Sequence, residues 1–570
     1  MITMFQSKPR TLFSPILSLF FLFFFLLITF ASKIKHHDNQ LHNHDESLTY
    51  LWPLPSQFTS GNHSLSVDPS LTVSVIGNGG VADFPTLNLA FDRYKEIIFK
   101  HTGYGFGKGL VRKLRERIGV GVGVVSSYNI VTLNIIVHSN IEEQLKLGVD
   151  ESYTLKISTA NESSVAGDAT IEANTVFGAL RGLETFSQLC SFDYTTKTVK
   201  INNAPWSIQD KPRFAYRGLM LDTSRHYLPI NVIKQVIESM SYAKLNVLHW
   251  HIIDEQSFPL EIPTYPNLWK GSYTKWERYT VEDAYEIVNF AKLRGINVMA
   301  EIDVPGHAES WGAGYPDLWP SPSCREPLDV SKNYTFDVIS GILSDMRKIF
   351  PFELFHLGGD EVNTDCWRNT PHVKEWLQKH NMTTKDAYEY FVLKAQEIAL
   401  SKNWSPVNWE ETFNTFPSKL HPETIVHNWL GPGVCPKAVA KGFRCIFSNQ
   451  GVWYLDHLDV PWDEVYTAEP LEGIQKDEEK KLVLGGEVCM WGETADASDV
   501  QQTIWPRAAA AAERLWSPID STSARNVTLT ALPRLQHFRC LLNGRGVPAA
   551  PVTNYYGRRA PDGPGSCYDQ

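Results

Sequence analysis

Residues 352–361 read FELFHLGGDE, a short apolar stretch that ends in two glycines and two adjacent carboxylic acids. An apolar strand followed by a glycine turn and acidic side chains is typical of the carboxyl end of a buried strand in a parallel sheet. Seven further segments repeat this pattern, and amphipathic helices follow most of them. The eight predicted strands are 214–222, 246–254, 296–303, 352–360, 405–410, 424–430, 443–449 and 482–491.

This alternation predicts an α/β fold with a closed (β/α)8 TIM barrel, because alternating strand–helix units form a parallel sheet and eight of them close it. In such barrels the reactive residues lie just past the carboxyl ends of the strands. Here those positions are rich in Asp, Glu, Asn and Trp. The intervening helices are predicted near 231–244, 281–294, 335–349, 385–401 and 499–516.

Three segments precede the barrel domain, which is expected to span 206–570. Residues 1–31 combine basic residues with an apolar run and are typical of a signal peptide, with an uncleaved signal anchor as the alternative. Residues 32–49 are polar and His-rich, which predicts a linker. Residues 50–205 mix strand-like alternation with helical stretches, which predicts a smaller α+β domain. Their elements are strands at 71–76 and 131–137 and helices near 86–101 and 172–190.

Arg181 and Glu184 lie in the second of these helices, at the spacing of an exposed helical pair. No cluster of catalytic residue types accompanies them. The first domain is therefore expected to contribute no chemistry.

Composition and net charge indicate which kind of binding partner the protein has. The formal net charge of −10 gives no basic field for nucleic acid or an anionic membrane, so a neutral or weakly charged substrate fits better. The 17 tryptophans are many, and tryptophans beside carboxylates commonly hold sugar rings. Six sequons after a signal-like segment predict a glycoprotein, although Pro406 makes one of them, Asn403, doubtful. The other five are Asn62, Asn161, Asn333, Asn381 and Asn526.

The eight cysteines show no CxxC pair of the kind that binds zinc. In an oxidising compartment some of them should pair. Cys435 and Cys445 are close enough in sequence to bridge locally. Cys190 and Cys489 lie in apolar contexts, which predicts free thiols in the core.

The adjacent pair Asp360–Glu361 carries the main functional prediction. Glycosidases commonly place two carboxyl groups on either side of the scissile bond, at roughly 5–5.5 or 6.5–9.5 Å from each other. Side chains of sequence neighbours diverge, so this pair is expected to divide its tasks. One carboxyl protonates the leaving oxygen, and the other acts on a group of the same sugar, as substrate assistance by a 2-acetamido oxygen requires. We therefore expect Glu361 to start protonated and Asp360 to stay ionised.

Further candidates lie at other strand ends. His249 and His251 share one face of a strand by alternation, and with Asp254 they leave a metal-dependent hydrolase open as an alternative. His307 is the better candidate for a polarised imidazole beside the acid. Arg217 is expected to point inward near the barrel mouth and to bind sugar hydroxyls or a carboxylate.

Tryptophans at three strand ends, together with Tyr454, predict an aromatic box for a ligand. Each of these rings alone is more often part of a core. Their common position beside Glu410, Asn428 and Glu493 favours ligand contact. The three tryptophans are Trp409, Trp429 and Trp491.

Ordered motifs give the chain a family resemblance. The segments RGLMLDTSRHY (217–227), HWHIIDEQSFP (249–259), HLGGDE (356–361) and GGEVCMWGE (485–493) resemble those of glycoside hydrolase family 20, in particular plant vacuolar-type β-hexosaminidases. The resemblance implies exo-acting, retaining removal of terminal β-linked N-acetylglucosamine or N-acetylgalactosamine from N-glycans, other glycoconjugates or chitooligosaccharides. It implies no cofactor and no metal.

The resemblance also implies roles for single residues. Glu361 is similar to the general acid/base, and Asp360 to the carboxylate that orients the acetamido group. Asp254 and His307 are similar to supports of the acid, and Tyr454 to the tyrosine that binds the acetamido oxygen. The substrate-binding residues implied in the same way are Arg217, Trp409, Trp429, Asp456, Trp491 and Glu493.

Three further expectations follow from the resemblance. It implies Cys324–Cys366 and Cys540–Cys567 disulfides, a homodimer and a vacuolar location, with the extracellular space or cell surface as the alternative. A membrane partner is expected only if the N-terminal segment stays uncleaved. His457 stands where some relatives carry Arg, which favours neutral substrates. A catalytically silent sugar-binding barrel is the remaining alternative to an enzyme.

Overall fold

The computed structural model describes residues 48–77, 80–81, 83–102, 128–139, 141–159, 168–523 and 527–553. The predicted signal peptide, nearly all of the linker, Asn161, Asn526 and Cys567 lie outside the described residues. Within those ranges, no helix combines the length and the apolar character that crossing a membrane requires.

Eight parallel strands close a barrel, as the alternation predicted. Strands β8 and β9 are buried at every position, because the barrel interior lies on one face and helices cover the other. Each of the eight predicted segments contains one of these strands. They are β8 Tyr216–Asp222, β9 Val247–Ile253, β10 Asn297–Ile302, β11 Leu354–His356, β12 Ser405–Trp409, β13 Ile425–His427, β14 Arg444–Phe447 and β15 Val483–Met490.

Helices with one apolar face surround the barrel. Capping boxes start two of them, at Thr280 with Asp283 and at Thr383 with Asp386. The predicted helix 499–516 is divided at Trp505-Pro506. The main helices of this layer are Ile230–Tyr242, Val281–Lys292, Asn333–Ile349, Pro371–Lys379, Thr384–Ser401, Val500–Ile504 and Arg507–Trp516, and Leu532–Arg545 follows them.

A seven-stranded mixed sheet precedes the barrel, with strand order β2-β1-β3-β5-β4-β7-β6. Helices Pro85–Ile98 and Val176–Leu189 pack with it into a separate apolar cluster. The expected boundary at 205/206 falls inside β7, which continues to Asp210. The strands are β1 Gln57–Gly77, β2 Gly80–Val81, β3 Ile130–Val137, β4 Tyr153–Ile157, β5 Asp168–Ala173, β6 Cys190–Asp193 and β7 Thr198–Asp210.

A buried ionic cluster joins this sheet domain to the amino end of the barrel. The carboxylate of Glu151 lies 2.7 Å from Arg181 Nε and 2.6 Å from Arg217 Nη2, and all three side chains are almost fully buried. The prediction that Arg181 and Glu184 form an exposed helical pair is therefore wrong. Arg181 binds Glu151, and Glu184 binds Arg545 at 2.9 Å.

The predicted placement of Arg217 at the barrel mouth is also wrong. Arg217 is the second residue of β8, so its side chain lies at the amino end of the strand, whereas the reactive rim forms at the carboxyl ends. Its guanidinium donates to Glu151 and to the carbonyls of Phe214 and Lys244, and it is 0% exposed. Only the expectation of a carboxylate partner is confirmed.

The two proposed disulfides whose cysteines both lie within the described residues are formed, Cys324–Cys366 and Cys435–Cys445. The pairing of Cys540 with Cys567 stays a prediction, because Cys567 lies outside those residues. Cys190 and Cys489 are free, as predicted, although only Cys489 is fully buried.

Candidate active site

The HLGGDE segment turns sharply after β11. Gly358 and Gly359 have φ values of +62° and +98°, and a Cβ on Gly358 would lie 2.0 Å from the carboxyl carbon of Asp303. Only glycine therefore fits at this position without strain. Asp303 accepts a hydrogen bond from the Gly359 N–H at 2.9 Å, and Asn408 donates to the Gly358 carbonyl at 3.0 Å. The turn places Asp360 and Glu361 on the rim of the barrel.

Two residues of the rim hold an unusual backbone conformation. Glu361 and His307 have φ values of +49° and +53°, which non-glycine residues seldom adopt. Conformations of this kind cost about 1–3 kcal/mol and cluster at functional sites. Their occurrence at both residues agrees with a site selected for geometry rather than for stability.

His307 connects the candidate acid to a buried carboxylate. Its Nδ1 lies 3.1 Å from Asp254 Oδ1, while its Nε2 lies 3.6 Å from Glu361 Oε2 and 3.7 Å from Asp360 Oδ2. Burial would lower the pKa of His307, but Asp303 and the neighbouring carboxylates outweigh burial and raise it well above the usual value. His307 therefore lies between carboxylates that favour its protonated form, and its role as the polarised imidazole beside the acid stays a prediction.

The pKa of Glu361 is lowered in the unliganded protein, which is the direction opposite to our expectation that Glu361 starts protonated. Its side chain is 60% exposed, and the His307 imidazole, whose Nε2 lies 3.6 Å from the carboxylate, lowers the pKa below the usual value. The expectation that Glu361 starts protonated neglected this neighbour. The proton lies on His307, within reach of Glu361, and a sugar that displaced water from Glu361 would favour its transfer to the carboxylate.

Asp360 has a partner that sequence reasoning missed. Asp303, at the end of β10, is buried, and burial together with the nearby Asp360 carboxylate raises the pKa of Asp303 well above its usual value. Asp303 is therefore a carboxyl at this rim whose protonated form the structure favours. Asp360 Oδ1 is buried and has no hydrogen-bond partner among the described residues. This oxygen can accept an N–H from a ligand.

The predicted aromatic box is assembled beside these carboxylates. Trp429 and Tyr454 are parallel, with centroids 6.3 Å apart, and Trp491 lies 6.0 Å from both Tyr454 and Trp409. Trp409 is buried and donates its indole N–H to Glu301 at 3.1 Å, so it forms the floor of the box. Trp429 donates to Glu411 at 2.9 Å. Burial raises the pKa of Tyr454 well above 10, so its hydroxyl stays a hydrogen-bond donor.

Arg225, and not Arg217, is the arginine at this rim. Its Nη2 lies 2.8 Å from Asp254 Oδ2, its Nη1 lies 3.3 Å from Asp222 Oδ2, and its guanidinium lies 5.0 Å from the centre of the Trp491 ring. The motif RGLMLDTSRHY contains both arginines. The rule that function lies at carboxyl strand ends would have favoured Arg225, which follows Asp222.

Three acidic residues lie at the periphery of the site. Glu493 is exposed and close enough to raise the pKa of Arg225, although less than Asp222 and Asp254 do. Asp456 is half-buried, and burial raises its pKa. Glu411, which was not among the predicted site residues, is half-buried near Asp360, and burial together with Asp360 raises its pKa to about 8.

The trio proposed for a metal-dependent hydrolase does not converge. His249 contacts Glu487 and Glu301, whereas His251 contacts Glu301 and Asp254. Among the described residues, the groups whose donor atoms lie close together do not include that trio.

Comparisons with known proteins give one result along nearly the whole chain. The sequence model of glycosyl hydrolase family 20, catalytic domain, matches residues 214–519, and a beta-acetyl hexosaminidase-like model matches residues 51–189. Beta-hexosaminidase 1 of Arabidopsis thaliana is 71% identical over 526 residues, which is 92% of this chain and 95% of that relative. Beta-hexosaminidase subunit beta of Homo sapiens is 37% identical over 519 residues, 88% of each chain.

A solved structure has the same architecture. The chitobiase of Flavobacterium johnsoniae is 30% identical, with a TM-score of 0.73, and the match covers 87% of this chain and 73% of that chain.

Proposed function

Because this chain belongs to glycosyl hydrolase family 20 and is an exo-acting β-N-acetylhexosaminidase, we propose that it cleaves by substrate assistance, with Glu361 as general acid/base and Asp360 as the residue that directs the substrate's own nucleophile. The observation that carries this proposal is the juxtaposition of Asp360, Glu361 and His307 beside the aromatic box. No second ionised carboxylate is needed on the far side of the sugar, because the 2-acetamido oxygen attacks the anomeric carbon.

Glu361 receives its proton from the His307 side. His307 carries a proton in the free enzyme and lies 3.6 Å from Glu361. When the sugar covers Glu361, desolvation favours the protonated carboxyl. Glu361 then gives the proton to the leaving oxygen, and afterwards the carboxylate takes a proton from the water that opens the intermediate. Retention of configuration follows from two successive displacements at the same carbon.

Asp360 accepts the acetamido N–H and stabilises the positive charge that develops on that group. Its unpartnered, buried Oδ1 supports this role, and so does the raised pKa of the neighbouring Asp303. Tyr454 donates to the acetamido oxygen and orients it for attack. The tethered nucleophile gains the effective molarity of an intramolecular reaction, worth up to about 7–11 kcal/mol.

Sugar recognition is assigned to the rest of the rim. Trp429 and Trp491 form the walls around the acetamido methyl group and the sugar ring, with Trp409 as the floor. The outer hydroxyls are bound by Arg225, Asp456 and Glu493, with Arg225 replacing Arg217 in this role. The substrates we propose are terminal β-linked N-acetylglucosamine and N-acetylgalactosamine on N-glycans, other glycoconjugates or chitooligosaccharides.

We propose passage through the secretory pathway to the vacuole. The signal-like N-terminal segment and the two disulfides support the route. Asn62, Asn333 and Asn381 are exposed, as glycosylation requires. Homodimer formation is part of the same proposal and is supported by the family resemblance alone.

One assay tests the proposed function. We expect the wild type to hydrolyse an aryl β-N-acetylglucosaminide equally with and without EDTA. Glu361→Gln and Asp360→Asn should each lose roughly 100-fold or more in kcat. Loss of activity on chelation would favour a metal-dependent mechanism, and an inactive wild type would favour a silent sugar-binding barrel.

A further inference from the structure

Alternating carboxylates and imidazoles run from the barrel interior to the candidate acid. The members come from strands β15, β9 and β10 and from the loops after β9 and β10, and His307 is the member that contacts Glu361. We call this row the carboxylate–imidazole chain. Its members, in order, are Glu487, His249, Glu301, His251, Asp254 and His307.

Each of the two inner imidazoles lies between two carboxylates. His249 Nδ1 is 2.8 Å from Glu487 Oε1, and its Nε2 is 2.9 Å from Glu301 Oε2. His251 Nδ1 is 2.5 Å from the same Glu301 oxygen, and its Nε2 is 2.7 Å from Asp254 Oδ2. All five side chains are buried. Both nitrogens of His251 hydrogen-bond to a carboxylate, which requires a proton on both, because a neutral imidazole has only one N–H. At His249 only Nδ1 forms such a bond, to Glu487, and Nε2 has no hydrogen-bond partner among the described residues.

The pKa values of His249 and His251 are both raised, as positively charged imidazoles require. Burial alone would lower the pKa of His249, but Glu487 and Glu301 outweigh it and raise the pKa to about 9. Burial likewise opposes ionisation of His251, whose pKa Glu301 and Asp254 raise to about 10. The row therefore alternates anion and cation, which offsets the cost of burying each charge.

The contacts are too short for a metal ion among these side chains. Tetrahedral zinc with bonds of about 2.0–2.1 Å separates its ligand atoms by roughly 3.3 Å. The nitrogen–oxygen distances here are 2.5 to 2.9 Å, which is the range of direct hydrogen bonds.

Asp254 is the point where the chain meets the reaction. It accepts from His251 on the buried side and from Arg225 Nη2 at 2.8 Å, and its other oxygen lies 3.1 Å from His307 Nδ1. The more strongly other donors hold Asp254, the less strongly it holds the proton of His307. Glu361 receives the proton on the other ring nitrogen, Nε2, and the imidazolium releases it more readily when Asp254 holds the Nδ1 proton less strongly.

We infer that His251 is a positioning residue for the hydrolysis, which fixes Asp254 and limits its hold on the His307 proton, and that Glu301 keeps His251 in place. This inference rests on the proposed roles of Glu361 and His307. The groups that face His251 are Glu301, Asp254 and Arg225, whose Nη1 lies 3.5 Å away, with the Trp491 ring at 5.0 Å.

The groups that face His307 come from several elements. Asp254 follows β9, Asp303 follows β10, and the acidic pair follows β11, while Arg225 Nη2 lies 3.4 Å from the His307 ring. Of these groups, Arg225 alone is a cation. Removing the cation on His251 therefore shifts the balance at His307 toward tighter proton binding.

The test compares His251→Gln with the matched control His249→Gln, which removes an equally buried cation that does not contact Asp254. For His251→Gln we expect the alkaline limb of kcat/KM for an aryl β-N-acetylglucosaminide to move up by roughly one pH unit. Its kcat should fall about tenfold because Glu361 receives the proton less readily. The control should move the limb by less than half as much.

A fall in rate with an unmoved alkaline limb would overturn the inference, as would equal shifts in the two variants. If His251→Gln does not fold, the wild type decides the question. Histidine labelled with ¹⁵N should show that the buried ring of His251 keeps both nitrogens protonated from about pH 5 to about pH 8, and a His251 ring with one proton would refute the inference. A wild type without hexosaminidase activity would instead refute the proposed function, and the two failures stay distinct.

Discussion

Replacing Glu151 by Gln should destabilise the enzyme without changing its catalysis. Glu151 joins the sheet domain to the barrel through Arg181 and Arg217, and its other oxygen accepts from Asn246 at 3.1 Å. The substitution keeps the shape and the acceptor for Asn246. It leaves two buried guanidinium groups without their counter-charge.

The magnitude follows from burial. Breaking a buried ion pair by removing one partner costs about 3–5 kcal/mol. Unfolding entropy of about 2.1 cal/mol/K per residue over about 500 folded residues is roughly 1 kcal/mol/K, so Tm should fall by roughly 4 °C. The matched control is Glu286→Gln, whose partner Lys234 lies 2.6 Å away on the surface, and which should change Tm by less than about 1 °C.

Calorimetry and steady-state kinetics on an aryl β-N-acetylglucosaminide measure both quantities. We expect kcat and KM to stay within about twofold of the wild type, because Glu151 lies at the amino end of the barrel. An unchanged Tm would refute the stabilising role of the cluster. A large rise in KM would refute the assignment of Arg217 to a position remote from the substrate.

Three further predictions concern the rim. Arg225→Lys should lower kcat/KM by roughly 100-fold, because the single ammonium group of lysine cannot bind Asp222, Asp254 and a sugar hydroxyl at the same time as a planar guanidinium can. The control, Arg217→Lys, should lower Tm and leave kcat/KM unchanged. The pKa of Glu411 is raised to about 8 in the folded enzyme, whereas the unfolded chain releases this proton above about pH 4.5. The stability that protonated Glu411 contributes is therefore fully present below about pH 4.5 and is lost as the pH rises through about 8. Glu411→Gln should therefore have a higher Tm than the wild type at pH 8 and an equal one at pH 4, and the reverse order in calorimetry would contradict this. His457 provides no permanent cation for an anionic sugar, so a 6-sulfated substrate should react more slowly than the neutral one at neutral pH, and His457→Arg should narrow that gap; equal wild-type rates on both would contradict this.

The barrel was predictable because its signal is repeated eight times. Most strand positions are buried, so each strand appears in the sequence as a mainly apolar segment with polar residues at its carboxyl end, although β9, β10 and β15 also carry buried His or Glu. The positions of Asp360, Glu361 and Trp491 followed from the rule for carboxyl strand ends. The turn after β11 was predictable as well, because Gly358 and Gly359 indicate it in the sequence.

Contacts between distant segments were not predictable in the same way. Helical spacing placed Arg181 on an exposed face, but the barrel covers that face and supplies Glu151 as its partner. The choice between Arg217 and Arg225 is different, because the rule for carboxyl strand ends, applied to the predicted strand 214–222, would have decided it in favour of Arg225. Protonation of Glu361 depends on His307, which lies 54 positions earlier in the sequence and reaches the acid only in the folded barrel.

The most direct test of substrate assistance uses the nucleophile that the substrate supplies. Aryl glycosides whose 2-acetamido group carries none, one, two or three fluorine atoms differ chiefly in the nucleophilicity of the amide oxygen. We expect kcat to fall steeply with each fluorine and Asp360→Asn to weaken this dependence. A kcat that stays constant across the series would contradict attack by the acetamido oxygen and would require a nucleophile from the protein.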